Sequence, residues 1–469
     1  MHITAIRVEL HDESPARSGS YVLLLALVAA ISGFLFGFDT AVINGVLLFL
    51  QRQFALSNLR TEVAASALLV GCLFGAAGGS LVGDRIGRRK SLLIAAILFA
   101  GSTVAAALAG TLPVFCMGRF AGGLAIGLSS VLTPVYIAEV APARNRGRLV
   151  SMNQLAIVVG ILVAYIASWS LAGIGQSSWR WMLAVAAIPA VCFFVGLLFI
   201  PESPRWLISH GQRERGRSVL ERIYGTAVAD VQVKEIEAAA SAESGTWKEV
   251  FARPMHRPLT VALALAILCQ ITGINTVLYY GSILISQHFR GQTTGTALTA
   301  NVIVGCTNLL GTLLALRFLD RWGRRTMLLT ASAGMALSLM LFVVANNIPR
   351  LSPFLILLCI LSYTGFFAFA MGPIPWVVIS EIFPNKIRGR AASIATSALW
   401  AGTLVVTLTF LSLIHVLGVS GTFSMYAILC VVSFMFIWTK VPETQGKTLE
   451  QIQREWEELT HEDALTIRR

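Results

Sequence analysis

Twelve apolar runs, each long enough to cross a lipid bilayer, constrain what this chain can fold into. A transmembrane helix needs about 20 apolar residues, and 56% of the 469 residues are apolar whereas only 13% are charged. A soluble domain carries about 25% charged residues, so the composition excludes one for most of the chain. We predict an all-α integral membrane protein whose transmembrane helices lie near 21–50, 61–83, 91–110, 113–140, 148–172, 179–200, 257–289, 295–318, 326–346, 351–380, 388–414 and 420–440.

The two halves of the chain repeat each other. Three signatures recur in the same order, at offsets of 236, 242 and 241 residues: Asp84–Arg89 as Asp320–Arg325, Glu139–Arg148 as Glu381–Arg390, and Pro201–Ser203 as Pro442–Thr444. Because six crossings are an even number, both copies enter the membrane from the same side, which gives parallel repeats with a binding site between them. The predicted units are six-helix bundles at 1–200 and 257–440, a helical linker at 201–256 and a tail at 441–469.

The positive charge is concentrated in short loops on one side of the predicted membrane. The turns after runs two, four, eight and ten hold clusters of Arg and Lys, whereas the opposite turns hold only isolated arginines. Positive loops favour the cytoplasmic side. We therefore expect both termini and the linker to be cytoplasmic, and we read the net charge of +12 as a signal of orientation, not of binding to nucleic acid.

Several motifs together resemble one family. The ordered set is similar to the sugar porter branch of the major facilitator superfamily: Gly37-Phe38-Asp39-Thr40, Asp84–Arg89, Gly118-Arg119-Phe120, Pro201–Arg205, Gln270–Asn275, Gly372–Trp376 and Pro442–Thr444. The resemblance implies the major facilitator fold, with twelve helices in two repeats. It also implies transport of monosaccharides or polyols by alternating access, either down a gradient or coupled to protons.

Two full charges lie well inside the predicted spans, Asp39 in the first and Arg119 in the fourth. Intramembrane charges are costly, which makes them candidates for function. Both lie in the outer half of their spans, where they are able to meet. The resemblance implies proton coupling, because proton-coupled members have an acid at the position of Asp39. The alternative is a static ion pair that fixes two helices.

A sugar site needs amides for the hydroxyl groups and aromatic faces for the C–H surface. Gln154, Gln270 and Asn275 offer amides, and a helix break at Gly273 would let the last two face one cavity. The resemblance adds further contacts at Asn308, Trp376 and Trp400. The alternatives are amides that join neighbouring helices and a Trp376 in an interfacial belt.

The sequence departs from the family at two positions of the predicted sugar site. Cys269 stands where glutamine is usual, and Leu399 where an amide is frequent. We expect Cys269 to contact the sugar and to pair its hydroxyl groups poorly, because a thiol is a weak donor and a weak acceptor. The identity of the sugar therefore stays open.

Acidic and basic residues in the cytoplasmic turns are predicted to form a gate. The resemblance implies pairs that latch the outward-open state, whereas the alternative is orientation plus weak surface pairs. Pro373 and Pro375 interrupt the tenth span, which makes it either a gating hinge or a static kink. The predicted gate residues are Arg88, Glu139, Arg148, Glu202, Arg205, Arg324, Glu381, Arg390 and Glu443.

The sequence thus predicts a proton-coupled symporter that imports a hexose or pentose, with Asp39 as the proton carrier. A proton-independent facilitator of sugars or polyols is the first alternative. A sugar sensor that does not transport is the second, although sensors of this family usually carry longer cytoplasmic extensions. No nucleophile–base pair, phosphate loop or metal-spaced cluster occurs, so we expect no enzyme, cofactor or metal. The expected partners are the sugar, a proton and the bilayer, and we expect a monomer.

Overall fold

The computed structural model describes residues 19–142, 145–241, 247–288, 294–348, 353–383 and 387–443, and these residues are almost entirely helical. The helices are α1 Gly19–Phe54, α2 Asn58–Ile86, α3 Arg88–Ala107, α4 Leu112–Val140, α5 Arg146–Leu171, α6 Ser178–Ala184, α7 Ala187–Phe199, α8 Pro204–Ser209, α9 Arg213–Tyr224, α10 Thr226–Ser241, α11 Trp247–Val250, α12 His256–Ile271, α13 Ile274–His288, α14 Thr294–Trp322, α15 Arg324–Asn346, α16 Pro353–Phe366, α17 Ile374–Glu381 and α18 Arg388–Lys440.

The predicted twelve crossings are confirmed. Eleven helical stretches of the described residues are long and apolar enough to span a membrane. The last of them, α18, has 53 residues and contains the non-helical Gly418 (φ 72°, ψ 171°), which divides it into two crossings. The chain therefore has the all-α architecture of twelve spans in two sets of six that the sequence predicted.

Two spans are broken where the sequence indicated. The seventh is divided into α12 and α13 at Gly273, whose φ of 95° lies in the left-handed region that favours glycine. In the tenth, a π-helical turn at Phe367–Met371 separates α16 from α17, and Pro373 immediately precedes α17. A π-turn leaves the regular hydrogen-bond ladder, so the tenth span is interrupted near its middle, as the seventh is at Gly273.

Close helix contacts hold the first bundle together. A Cβ atom at Gly37 of α1 would lie 1.8 Å from the Ile157 carbonyl oxygen of α5, and one at Gly123 of α4 would lie 1.9 Å from the Leu68 carbonyl oxygen of α2. Only a residue without a side chain permits such an approach of two backbones. This is the packing by small residues that is common between helices in membranes.

The linker forms a small unit with its own apolar core. Ile208, Leu220, Ala229 and Val233 are buried together across α8, α9 and α10. On its surface, the Arg217 guanidinium donates to the Asp230 carboxylate at 2.6 Å, and this hydrogen bond holds the pKa of Asp230 below its ordinary value. We call the face of the protein that carries these helices the linker side. The predicted tail lies outside the described residues from 444 onward.

Candidate functional site

A cavity lies between the two bundles, near the middle of the spans. It holds about 700 Å³ of empty space when the open solvent at its mouth is counted, and polar and aromatic side chains share its wall. Its wall comes from α1 and α5 of the first half and from α12, α13, α14, α17 and α18 of the second. The π-turn of the tenth span contributes Phe367 and Ala368. Both broken spans therefore border the cavity.

Six of the seven residues predicted to contact a sugar line this cavity, and these are Gln154, Gln270, Asn275, Asn308, Trp376 and Trp400. Cys269 is not among the lining residues. It is buried, and its thiol donates to the Ala266 carbonyl of the same helix at 3.2 Å. Neighbours on a helix point about 100° apart. Gln270 lines the cavity, whereas Cys269 lies beside it and accepts a hydrogen bond from the Gln270 Nε2 at 3.4 Å. In contrast to the prediction, the structure does not place Cys269 in the cavity wall.

The break at Gly273 brings two amides together. Asn275 Nδ2 donates to Gln270 Oε1 at 2.6 Å, although five residues on a regular helix would point about 140° apart. The expected effect of Gly273 is thus confirmed. Each amide keeps hydrogen-bonding capacity beyond this contact, since an amide side chain offers two N–H donors and an oxygen with two lone pairs.

Aromatic rings supply the apolar surface of the cavity. Trp400 is buried, its ring centre lies 5.1 Å from that of Phe36 across the two halves, and its Nε1 donates to Ser130 Oγ at 3.4 Å. Trp376 also lines the cavity and is only half-buried, so it does not belong to an interfacial belt. Leu399 lies in the same wall, where the family resemblance would place an amide.

Three hydroxyl groups of the wall were missed from the sequence. Thr40, Tyr279 and Thr312 line the cavity, and the oxygen of each is buried without a hydrogen-bond partner. Buried polar atoms are seldom left unpaired, and Thr40 and Tyr279 interact with each other, so we expect these oxygens to gain partners when water or a ligand occupies the cavity. Single Thr and Tyr residues in an apolar run carry no sequence signal, because most of them pack against their own helix.

The predicted contact between Asp39 and Arg119 is confirmed. Both side chains are buried, the Arg119 Nη1 binds the Asp39 carboxylate, and the Nη2 donates to the Asp39 carbonyl oxygen at 3.1 Å. Thr40, the next residue of α1, lines the cavity. The ion pair is therefore one residue away from the cavity wall.

Comparisons with known proteins agree with this architecture. The family model "Sugar (and other) transporter" matches residues 25–456. The chain belongs to the sugar porter family of the major facilitator superfamily. It is 37% identical to the D-xylose-proton symporter of Escherichia coli over 94% of this chain and 96% of that protein. It is 38% identical to the glucose transport protein of Synechocystis over 94% and 99%, and 35% identical to the arabinose-proton symporter of Bacillus subtilis over 94% and 96%.

Solved structures support the same family. The structure of the proton:xylose symporter XylE bound to 6-bromo-6-deoxy-D-glucose superimposes with a TM-score of 0.82 at 36% identity, covering 94% of this chain and 100% of that one. A partially occluded inward-open conformation of the E. coli xylose transporter gives a TM-score of 0.81 at 36% identity, covering 92% and 100%. The major facilitator fold of this sugar porter is therefore established.

On the linker side, the repeated signatures have the same structure in both halves of the sugar porter. The Glu202 carboxylate accepts the backbone N–H groups of Arg89 at 2.9 Å and Lys90 at 3.4 Å. Glu443 accepts those of Arg324 at 2.9 Å and Arg325 at 3.1 Å. Each carboxylate thus caps the first turn of a helix in its own half, where it also meets the positive end of the helix dipole.

The other predicted gate residues are placed individually. Arg88 pairs with Glu139 through Nε and Oε2 at 3.1 Å, again within one half. Arg148 and Arg205 are exposed, and the Arg390 guanidinium lies 5.7 Å from the ring centre of Trp247. The side chain of Glu381 lies outside the described residues. The contacts described here stay within a half or reach the linker, so a latch between the halves stays a prediction.

Glu62 was given no role from the sequence. It lies just after the first turn of α2, where the sequence indicates the polar edge of a span, yet it is completely buried. Its carboxylate accepts hydrogen bonds from Ser412 of the other half. It is thus a buried acid of this sugar porter in addition to Asp39, and it lies on the side opposite the linker.

Proposed function

We propose that this sugar porter is a proton-coupled symporter that imports a hexose or pentose across the cytoplasmic membrane. The buried pair of Asp39 and Arg119, one residue from the cavity wall, carries the proposal. Relatives at 35% and 37% identity are named as arabinose-proton and D-xylose-proton symporters. Asp39 is the acid that this coupling needs.

Asp39 acts as the proton carrier through its contact with Arg119. A buried carboxylate needs a partner, and in this structure the guanidinium provides it. Protonation of Asp39 removes the negative charge, which weakens the attraction between α1 and α4. Because α1 also carries Phe36 and Thr40 of the cavity wall, a movement of α1 couples the proton to the bound sugar.

The cavity accepts a sugar through amides on one part of its wall and rings on another. Gln154, Gln270, Asn275 and Asn308 have side chains that both donate and accept, as a hydroxyl group requires. Trp376 and Trp400 offer flat apolar faces for the C–H surface of the ring. The wall has polar groups from both halves, so the sugar holds the halves together when it is bound.

The linker side corresponds to the cytoplasm in this proposal. Among the described residues, the Arg and Lys side chains of the turns lie on the side of the linker helices, in agreement with the bias that orients membrane proteins. The start of α1 and the end of α18 lie on this side as well, which supports the proposal that both termini are cytoplasmic. The side opposite the linker is then the outer side.

Transport by Asp39→Asn protein in proteoliposomes tests the proposal. We expect the variant to lose accumulation of sugar under an imposed proton gradient, because the amide cannot carry a proton. Exchange of labelled sugar between two loaded compartments should persist, because the amide keeps the shape of the side chain. Wild-type protein with a protonophore is the control and should also stop accumulating sugar. Accumulation that persists in the variant would show that Asp39 is not the carrier, and wild-type uptake that ignores the protonophore would indicate a facilitator.

A further inference from the structure

On the outer side, two side chains of the first half each bind the backbone N–H group of a serine in the second half. Asn44 Oδ1 accepts the N–H of Ser282 at 2.7 Å, and Glu62 Oε1 accepts the N–H of Ser412 at 2.7 Å. Asn44 and Glu62 are both fully buried. We call these two contacts, Asn44–Ser282 and Glu62–Ser412, the serine clamps.

The first clamp contacts both groups of one rung of a helix. In a regular α-helix the N–H of Ser282 would donate to the carbonyl of Leu278, four residues earlier. Asn44 takes that N–H with its oxygen and donates to the same Leu278 carbonyl with Nδ2 at 3.0 Å. The Tyr165 hydroxyl, also from the first half, donates to Leu278 O at 3.2 Å. The amide of Asn44 thus satisfies both ends of a rung in α13.

The second clamp uses both oxygens of a carboxylate. Glu62 Oε1 takes the Ser412 N–H, and Oε2 accepts the Ser412 hydroxyl at 2.7 Å. A buried carboxylate is costly unless it receives hydrogen bonds, and in this structure Ser412 provides two. This contact joins α2 to α18, whereas the first clamp joins α1 to α13. The clamps therefore close two different seams between the halves.

We infer that Asn44 and Glu62 are positioning residues that hold the outer side closed during transport. The inference rests on the proposed transport function and on the alternating access that the family resemblance implies. When the halves separate on this side, the Ser282 N–H has the Leu278 carbonyl of its own helix as an acceptor, and water can reach the Glu62 carboxylate. Both groups therefore have a partner in the open state as well. The closed and open states therefore differ little in free energy, so that binding of a ligand is able to shift their populations.

Labelling of a cysteine in the cavity tests the clamps. Ile161 lines the cavity from α5 and takes part in neither clamp, so Ile161→Cys serves as the reporter. A membrane-impermeant maleimide is added to the outer side of oriented vesicles, and protein without the reporter corrects for the seven native cysteines. We expect Asn44→Ala and Glu62→Ala each to raise the labelling rate about fivefold to tenfold, which is the size expected when the closed state loses about the net contribution of one hydrogen bond.

Matched variants separate the clamps from general loosening. Thr61 precedes Glu62 and is also buried, but its hydroxyl bonds to Gln51 and Ser57 of the same half, so Thr61→Val should label like wild type. Ser412→Ala keeps the backbone N–H and removes only the hydroxyl, so a smaller rise of about twofold is expected. This variant also tests the second clamp if the Glu62 variants do not fold.

The inference is overturned if folded Asn44→Ala and Glu62→Ala proteins label at the wild-type rate, or if Thr61→Val raises labelling equally. Hydrogen exchange provides a second measurement, since the Ser412 amide should exchange faster in Glu62→Ala than in Thr61→Val. Labelling reports conformation and not proton movement. A porter that ignores protons would fail the Asp39 test and still show the change in labelling, so the two failures are distinguishable.

Discussion

Asn275 donates a 2.6 Å hydrogen bond to Gln270 across the break in the seventh span. The two amides line one wall of the cavity, and Gly273 between them adopts a φ of 95°. The backbone break therefore builds the most polar part of the site. The same break leaves α12 and α13 as separate helices, and α13 carries the Ser282 clamp.

Substitution of Gly273 should damage both the site and the fold. A Cβ atom there would lie 2.6 Å from the ring of Tyr426, in a backbone conformation that side chains rarely adopt. We expect Gly273→Ala to weaken sugar binding at least about tenfold and to lower stability by about 1–3 kcal/mol. Titration calorimetry and thermal unfolding in detergent measure the two effects. Gly101→Ala is the control, because nothing lies within 4 Å of that site, and equal losses in both variants would contradict the prediction.

The Gln270–Asn275 pair should behave as one unit. Gln270→Ala and Asn275→Ala each remove the shared hydrogen bond as well as a ligand contact, so each should weaken sugar binding by about tenfold or more. The double variant should lose less than the product of the two, because the shared contact can be lost only once. A double-mutant cycle by calorimetry measures this. Strictly multiplicative losses would show that the two amides bind the sugar independently.

Residue 269 and residue 399 should differ in their effect on the ligand. Cys269 does not line the cavity and reaches it only through the hydrogen bond from Gln270. Cys269→Ser keeps an acceptor for that bond, so it should leave every sugar affinity within about twofold of wild type. Leu399 lies in the wall, and Leu399→Gln adds a donor and an acceptor there. We expect it to change the preference among hexoses, pentoses and polyols in a binding screen. A selectivity change in the Cys269 variant alone would restore the original assignment of Cys269.

The caps at Glu202 and Glu443 yield a prediction on stability and a prediction on the gate. Each carboxylate binds two backbone N–H groups at the start of a helix, so Glu202→Ala or Glu443→Ala should cost about 0.5–2 kcal/mol. Thermal unfolding measures this, with the exposed Glu214→Ala as the control.

If the predicted latch exists, neutralising both acids should also shift labelling of a cavity cysteine toward the cytoplasmic side. Unchanged labelling would leave the caps as purely structural groups.

The sequence by itself determined the number of spans, their duplication and the family. These follow from run length and motif order, which are local properties of the chain. It also placed Asp39 and Arg119 in the outer half of their spans, because depth in a helix is proportional to residue count. The break at Gly273 was predictable for the same reason, since it depends on one residue type at one position.

Only the tertiary structure decided which side of each helix faces the cavity. A span that is apolar all round carries no amphipathic signal, so Gln270 and Cys269 could not be ranked from their order in the chain. The burial of Glu62 and the contacts of Asn44 arise where the two halves meet, and they end on backbone N–H groups of Ser412 and Ser282. Every residue except proline has such a group. A contact that ends on a backbone N–H group therefore cannot be predicted from the residue types. It becomes visible only when the rotation of each helix and the packing of the two halves are known.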